Sequence, residues 1–274
     1  MKPEKVLKHI AERLMQQSVA VSNPGLLHGK MGLAVFFLHY ARYTGDSLFE
    51  DHAMVLLDNI QEQLRYRHDI DYASGLAGIG AGIEYLVQNS FIEGNTHEIL
   101  EEVDKAIFNA TISDDHTDAG LLTGLTDAGR YLLFRIAGKD TNDDYVGTLD
   151  NKMLLIHITD RLDRMQPVLK EEEAGDIYRF LYAMDQANIL PVKVKRMIRT
   201  FSSRILTLDQ ENGMHPYQRN METLLRYRYS ALTFCIQQKC RSMTGPDLYG
   251  GLAGIGLYII SKLDKQYKKW MELL

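Results

Sequence analysis

The sequence predicts an all-α protein, an α/α toroid of repeated helical hairpins. Three observations carry that prediction. A glycine-rich phrase recurs four times, each time at the head of an apolar run. Between the phrases, apolar residues fall at spacings of three and four, with no convincing strand-like alternation. The phrases and the runs they open return at a near-constant interval, the mark of a repeat architecture.

The first phrase is Gly25-Leu-Leu-His-Gly29-Lys-Met-Gly32, and it opens Leu33 to Tyr40. That run is apolar nearly all round, which predicts a buried helix. Phe49, Ala53, Leu56, Ile60 and Leu64 then mark a half-exposed returning helix. The second phrase runs from Ser74-Gly75 through Gly78 and Gly80 to Gly82. Ile99, Val103 and Ile107 mark the next return. The third phrase spans Gly120, Gly124 and Gly129, with Asp127 where a glycine is due. Leu154, Leu155, Ile158, Leu162 and Met165 follow, and Gly175 opens the buried run Asp176 to Met184. Glu171 to Glu173 precede that helix as a solvated turn favoured by its dipole. Val194, Ile198, Phe201, Ile205 and Leu208 continue the pattern, and Leu224 begins a fifth buried run. The last phrase is Gly250-Gly251-Leu-Ala-Gly254-Ile-Gly256.

Gly29 to Gly75 is 46 residues, Gly75 to Gly124 is 49, and Gly124 to Gly175 is 51. Each period fits two helices and two loops. The step from Leu224 to Gly251 is only 27 residues. Either an outer helix is missing there or the fifth run is misassigned, so five to six layers are expected, in one domain over 1–274. Fourteen of the 21 glycines lie in the four phrases. Glycine inside a helix costs about 1 kcal/mol against alanine, so the placement needs a reason. Gly75, Gly78 and Gly82 share one helical face and would let buried helices approach closely. Glycine also permits a positive φ in a tight entry loop. The inner helices would start at one rim and make that mouth electropositive.

Composition excludes several classes. The net charge of −5 argues against a nucleic-acid partner. No apolar run is long enough to span a bilayer, and the N-terminus lacks the apolar core of a signal peptide. A soluble, cytoplasmic protein is expected. Lys265 to Lys269 reads as a solvated last turn. Cys235 and Cys240 are five residues apart, which places them about 140° apart on a helix. They are read as structural rather than as a disulfide or shared metal ligands.

The phrases at 25–32, 71–80 and 248–256, with a weaker copy at 120–129, resemble the lanthionine synthetase C-like family. The resemblance implies an α/α toroid of about seven double-helical layers, so this chain is a short member. The family's enzymes are zinc cyclases that add a peptide cysteine to a dehydroalanine or dehydrobutyrine. Zinc lowers the thiol pKa and makes the thiolate nucleophile. The family draws its zinc ligands from a Trp-Cys-type phrase and from a Cys-His pair before a late glycine. This sequence has neither. The loops where they would sit, at 213–217 and 244–249, contain no cysteine. The family fold therefore carries over, and its thiolate zinc mechanism does not. No cofactor is expected, and zinc could enter only through a different His/Asp site.

Residues just before or within the phrases are the site candidates. The catalytic candidates are His28, Asp71, His116, Asp118, Asp127 and His215. Asp71 and Asp247 each stand four residues before a leading glycine, as loop-bracing or capping carboxylates or as acids aimed into the mouth. His28, His116, His215 and Asp118 could form a His/carboxylate metal site or be plain rim residues. Asp127 suits the first turn of a helix and is open to either role. Arg226 and Arg228 read as buried, paired arginines or as an anchor for a substrate carboxylate. Asp247 and Tyr249 complete the ligand-binding set, and Gly29, Gly32, Gly75, Gly78, Gly124, Gly251 and Gly254 are the structural glycines.

Three functions follow. The first is a zinc-free peptide-maturation protein that binds a precursor peptide or a peptide-modifying enzyme. The second is a lyase-type cyclase whose site is rebuilt from histidines. The third is a sugar hydrolase on a six-hairpin toroid, using two of Asp71, Asp118, Asp127 and Asp247 as its acid pair.

Overall fold

The computed structural model describes residues 2–64, 67–112, 120–138, 145–165, 171–205, 225–226, 228–230 and 245–274. Among them every regular element is helical, so the all-α expectation holds. The chain divides into two compact units.

The first unit contains 1–67, 73–75 and 214–274. Helix α1 is Pro3–Ser18, with proline in its first turn and Val6, Leu7, Ile10, Ala11 and Leu14 buried. Helix α2, Lys30–Thr44, is buried continuously from Met31 to Ala41 and ends on Gly45 at φ 75°. Helix α3, Ser47–Leu64, returns antiparallel and buries Phe49, Ala53, Leu56 and Ile60. The last α-helix of this unit, Leu252–Leu263, is as buried as α2 and packs on both α1 and α2. A 3₁₀ segment, Lys265–Leu273, follows and inserts Trp270 fully into the core. The basic cluster lies on this segment.

The second unit contains 68–72 and 76–213. Its helices are α4 (Leu76–Gln88), α5 (Thr96–Ile99), α6 (Glu101–Ile112), α7 (Gly120–Ala137), α8 (Tyr145–Met165), α9 (Glu171–Gln186) and α10 (Pro191–Ile205). Buried α4 packs on α7, and α7 on α9, while α6, α8 and α10 form the more exposed layer. We number Leu252–Leu263 as α11. Two boundaries differ from the sequence reading. Ile99 and Val103 do not share a helix, because Leu100 breaks it at φ −103°, ψ 8°; Leu100 is buried and Ile99 is not. Glu171 to Glu173 lie inside the first turn of α9 rather than before it.

The glycines act by close approach more than by backbone freedom. Among the described glycines only Gly45 and Gly250 have positive φ. Gly75 precedes α4 and is not on its face. The helix contacts are made instead by Gly80, Gly129 and Gly256. A Cβ there would lie 2.4 Å from Tyr131, 2.3 Å from Phe180 and 2.3 Å from Phe36, respectively. Each time, one buried helix offers a bare backbone to an aromatic ring of the next.

His39 on α2 is buried against Tyr267, and burial, helped by Arg42, holds its pKa down to about 3. The unfolded chain takes up this proton near pH 6.5. The folded state refuses it, so stability falls as pH drops from about 6.5 toward about 3. Between pH 7 and pH 5 the loss should be about 2 kcal/mol. Urea unfolding at both pH values should show it, and His39→Leu should remove that part of the slope.

Candidate functional site

The three described entry loops, before α2, α4 and α11, are copies of one structure. Asn23 to Gly29 precedes α2, Asp69 to Gly75 precedes α4, and Gly245 to Gly251 precedes α11. The first amides of an α-helix have no partner within it. Here they donate to backbone carbonyls of their own loop. Lys30 N–H donates to Asn23 O at 2.8 Å, Leu76 to Asp69 O at 2.8 Å and Leu252 to Gly245 O at 2.8 Å. Met31 N–H reaches Pro24 O and Ala253 N–H reaches Pro246 O. The loop must fold back against the helix start, which explains the glycines. A Cβ would meet a loop carbonyl at 2.4 Å on Gly29, 2.3 Å on Gly32, 2.5 Å on Gly251 and 2.1 Å on Gly254.

In the first unit these loops also bond to each other. Tyr249 N–H donates to Leu27 O at 3.2 Å, and Leu27 N–H donates to Ala73 O at 2.8 Å. Residues 249, 27 and 73 hold the same place in their loops, so the last phrase is laddered onto the first and the first onto the second.

His28 sits one residue past its ladder position and is half exposed. Its Nδ1 is 3.9 Å from Asp247 Oδ1, and its ring meets Tyr249 edge-on at 6.4 Å. Asp247 thus faces the imidazole rather than capping α11, because loop carbonyls already hold those amides. Arg228 donates to the carbonyl of Gly250, a residue at φ 73°. Arg67 does the same to Ser74 O, the equivalent carbonyl, at 2.9 Å. The result is an open cluster of imidazole, carboxylate and phenol on the first and last loops, with the Arg228 guanidinium bonded to the last loop's backbone. It can orient an imidazole, exchange a proton and bond a ligand from several sides.

Other candidates fall elsewhere. Asp127 lies in the second unit, where its Oδ2 accepts Tyr72 N–H at 3.0 Å. It braces the entry loop of the preceding repeat. That backbone bond occupies one of the acids offered for the sugar-hydrolase reading. Arg130 stacks on the buried Tyr72 ring at 3.6 Å, and burial pushes the Tyr72 hydroxyl up to about 12. Asp71 is half-buried in the second unit. Arg226 and Arg228 are both exposed, against the expectation of a buried pair. Two residues apart on a helix, they point about 200° apart. Arg228 reaches the last phrase, and Arg226 is on another face. Among the described residues a Cβ on Gly124 would meet Ile70, at 3.8 Å, and Gly78 is buried within α4. His116, Asp118 and His215 lie outside the described residues, as do both cysteines.

The sequence reading missed Arg67 and the two loop prolines. Pro24 and Pro246 each stand five residues before a capping glycine, which is a signal the sequence does carry.

A thiolate zinc site can be tested against these donors. Beside the last phrase stand one imidazole and one carboxylate 3.9 Å apart. Among the described residues no three His, Cys, Asp or Glu are grouped as metal ligands. A carboxylate and an imidazole do not supply the sulfur-rich tetrahedron of the cyclases. The residues described here do not fit that zinc.

The family model for lanthionine synthetase C-like proteins matches residues 20–179, more than half of the chain. The chain belongs to the lanthionine synthetase C-like family. A search of curated proteins returns no match. The match covers the first three glycine phrases of this LanC-like protein, and the fourth, beyond it, repeats the loop structure of the first two. Among the described residues, no helix is long and apolar enough to cross a membrane.

Proposed function

We propose that this LanC-like protein works in peptide maturation by holding a peptide, or the enzyme that modifies it, without thiolate zinc chemistry. The observation that carries this reading is the last entry loop. Where the family's cyclases place cysteine and histidine ligands, this chain sets Asp247 and Tyr249 beside His28. Such groups are suited to hydrogen-bonding a polar ligand and are poorly suited to making a metal thiolate.

Two measurements on the purified protein test the reading together. Metal analysis should find zinc far below one equivalent. Fluorescein-labelled peptides rich in Ser, Thr and Cys, with and without dehydrated residues, should bind in an anisotropy titration. Stoichiometric zinc would overturn the zinc-free part. An absence of binding by every peptide would overturn the peptide-holding part.

A further inference from the structure

Helix α3 packs on α2 and buries Phe49, Ala53, Leu56 and Ile60. Its other face leaves an apolar surface open. Leu48, Met54 and Val55 are 58%, 43% and 55% exposed. Asp51, Asp58 and Glu62 are exposed among them. Leu48, Asp51, Val55, Asp58 and Glu62 follow one another by alternating steps of three and four, so they form one stripe along the helix. At 1.5 Å per residue the stripe is about 21 Å long.

The carboxylates decide what such a stripe can receive. Helix α3 contains four acids and no Lys or Arg. Among the described residues no cation bonds Asp51, Asp58 or Glu62. Lys30 of α2, the nearby cation, donates to Asn59 Oδ1 at 3.4 Å instead. Acids on outer helices of the second unit are answered differently. On α6, Lys105 bonds Glu101 and Glu102, each at 2.8 Å. On α8, Asp160 and Asp163 are bonded by Lys193 and Arg196 of α10. An anionic lipid surface, or the α3 of a second copy, would bring like charges against the stripe. An uncharged apolar helix would take its carboxylates out of water without partners. A helix that alternates apolar residues with Lys or Arg would cover the apolar positions and pair the acids.

We propose that the outer face of α3 docks a basic amphipathic helix of a partner protein. The face uses none of the entry-loop residues, and the proposal stands independently of the peptide-holding reading.

The test uses the full chain and three fluorescein-labelled peptides in an anisotropy titration. One alternates Leu and Lys along a single helical face. A second has the same composition in scrambled order, and a third has Glu in place of Lys. The first should bind at least about tenfold tighter than the other two. Asp51→Asn/Asp58→Asn should weaken it by about fivefold or more, and Leu48→Ser/Val55→Ser by a similar factor. Glu101→Gln/Glu102→Gln removes the same charge from α6 and should leave binding unchanged. Thermal melting checks that each variant folds, and the side chains changed on α3 are exposed. Equal binding of the patterned and scrambled peptides would overturn the inference. So would equal losses in the α3 and α6 acid variants, since diffuse charge would then suffice, or binding indifferent to Leu48→Ser/Val55→Ser. Sedimentation of the chain alone should show no association through α3. Self-association that Asp51→Asn/Asp58→Asn alters would make a second copy the occupant and overturn the partner assignment. Absence of binding by the patterned peptide would overturn the proposal outright.

Discussion

Arg135→Met is expected to destabilise the protein by about 3–5 kcal/mol. Arg135 on α7 is buried, and so is its partner Glu84 on α4. Its guanidinium bonds Glu84 Oε2 at 2.8 Å and Asp104 Oδ2 on α6 at 2.8 Å. It also reaches Thr96 Oγ1 on α5 at 3.1 Å. Tyr131 OH donates to Asp104 Oδ1 at 2.6 Å, completing a network over four helices. Removing the cation leaves a buried carboxylate with no charge to balance it, and that is the large term. Removing all three charges together should cost far less. Arg135→Met/Glu84→Leu/Asp104→Leu would leave apolar side chains in place of an ion cluster, and such exchanges are often near neutral. Urea unfolding of the single and triple variants checks both statements. A single variant within 1 kcal/mol of the parent would show that the network is dispensable.

Gly254→Ala is expected to be comparably damaging, at about 3 kcal/mol or more. The new Cβ would lie 2.1 Å from Leu248 O, a backbone atom. That carbonyl cannot move freely. Leu248 N–H is tied to Leu27 O at 3.0 Å, and Gly254 N–H to Asp247 O at 3.4 Å. Relieving the overlap would pull apart the loop that sets Asp247 and Tyr249 beside His28. Gly124→Ala is the contrasting case. It lies inside α7, where among the described residues the Cβ would meet Ile70 at an ordinary 3.8 Å. Alanine is the better helix former by about 1 kcal/mol, so this variant should be as stable as the parent or more so. Thermal melting of the two variants should move in opposite directions. Loss of stability in both would mean that glycine is needed in the phrases for some reason besides space.

Much of the fold is legible in the sequence because helices announce themselves locally. The 3–4 spacing of Phe49, Ala53, Leu56 and Ile60 reports the buried face of α3 directly. The unbroken apolar run after Gly32 reports that α2 is surrounded. The break at Leu100 escapes this reading, because Ile99, Val103 and Ile107 keep helical spacing through it. The candidate site was legible only in part. His28, Asp247 and Tyr249 were named from their place beside the phrases, and they do come together. Asp127 was named for the same reason and turned out to brace a neighbouring loop. Arg67 was missed because nothing local marks an arginine whose partner is the carbonyl of Ser74.

The amino-acid order by itself determined the helices, the repeated glycine phrase, the family and the lack of the family's cysteine ligands. These are local facts, written in spacing and residue type. The tertiary structure decided what each glycine is for. At Gly29, Gly32, Gly251 and Gly254 the space of a Cβ is taken by the loop's own backbone. At Gly80, Gly129 and Gly256 it is taken by a ring from the next helix. It also decided that His28 faces Asp247, which lies more than two hundred residues away in the chain. Both outcomes depend on which atoms meet through space, and only the folded backbone, with its laddered loops, brings them together.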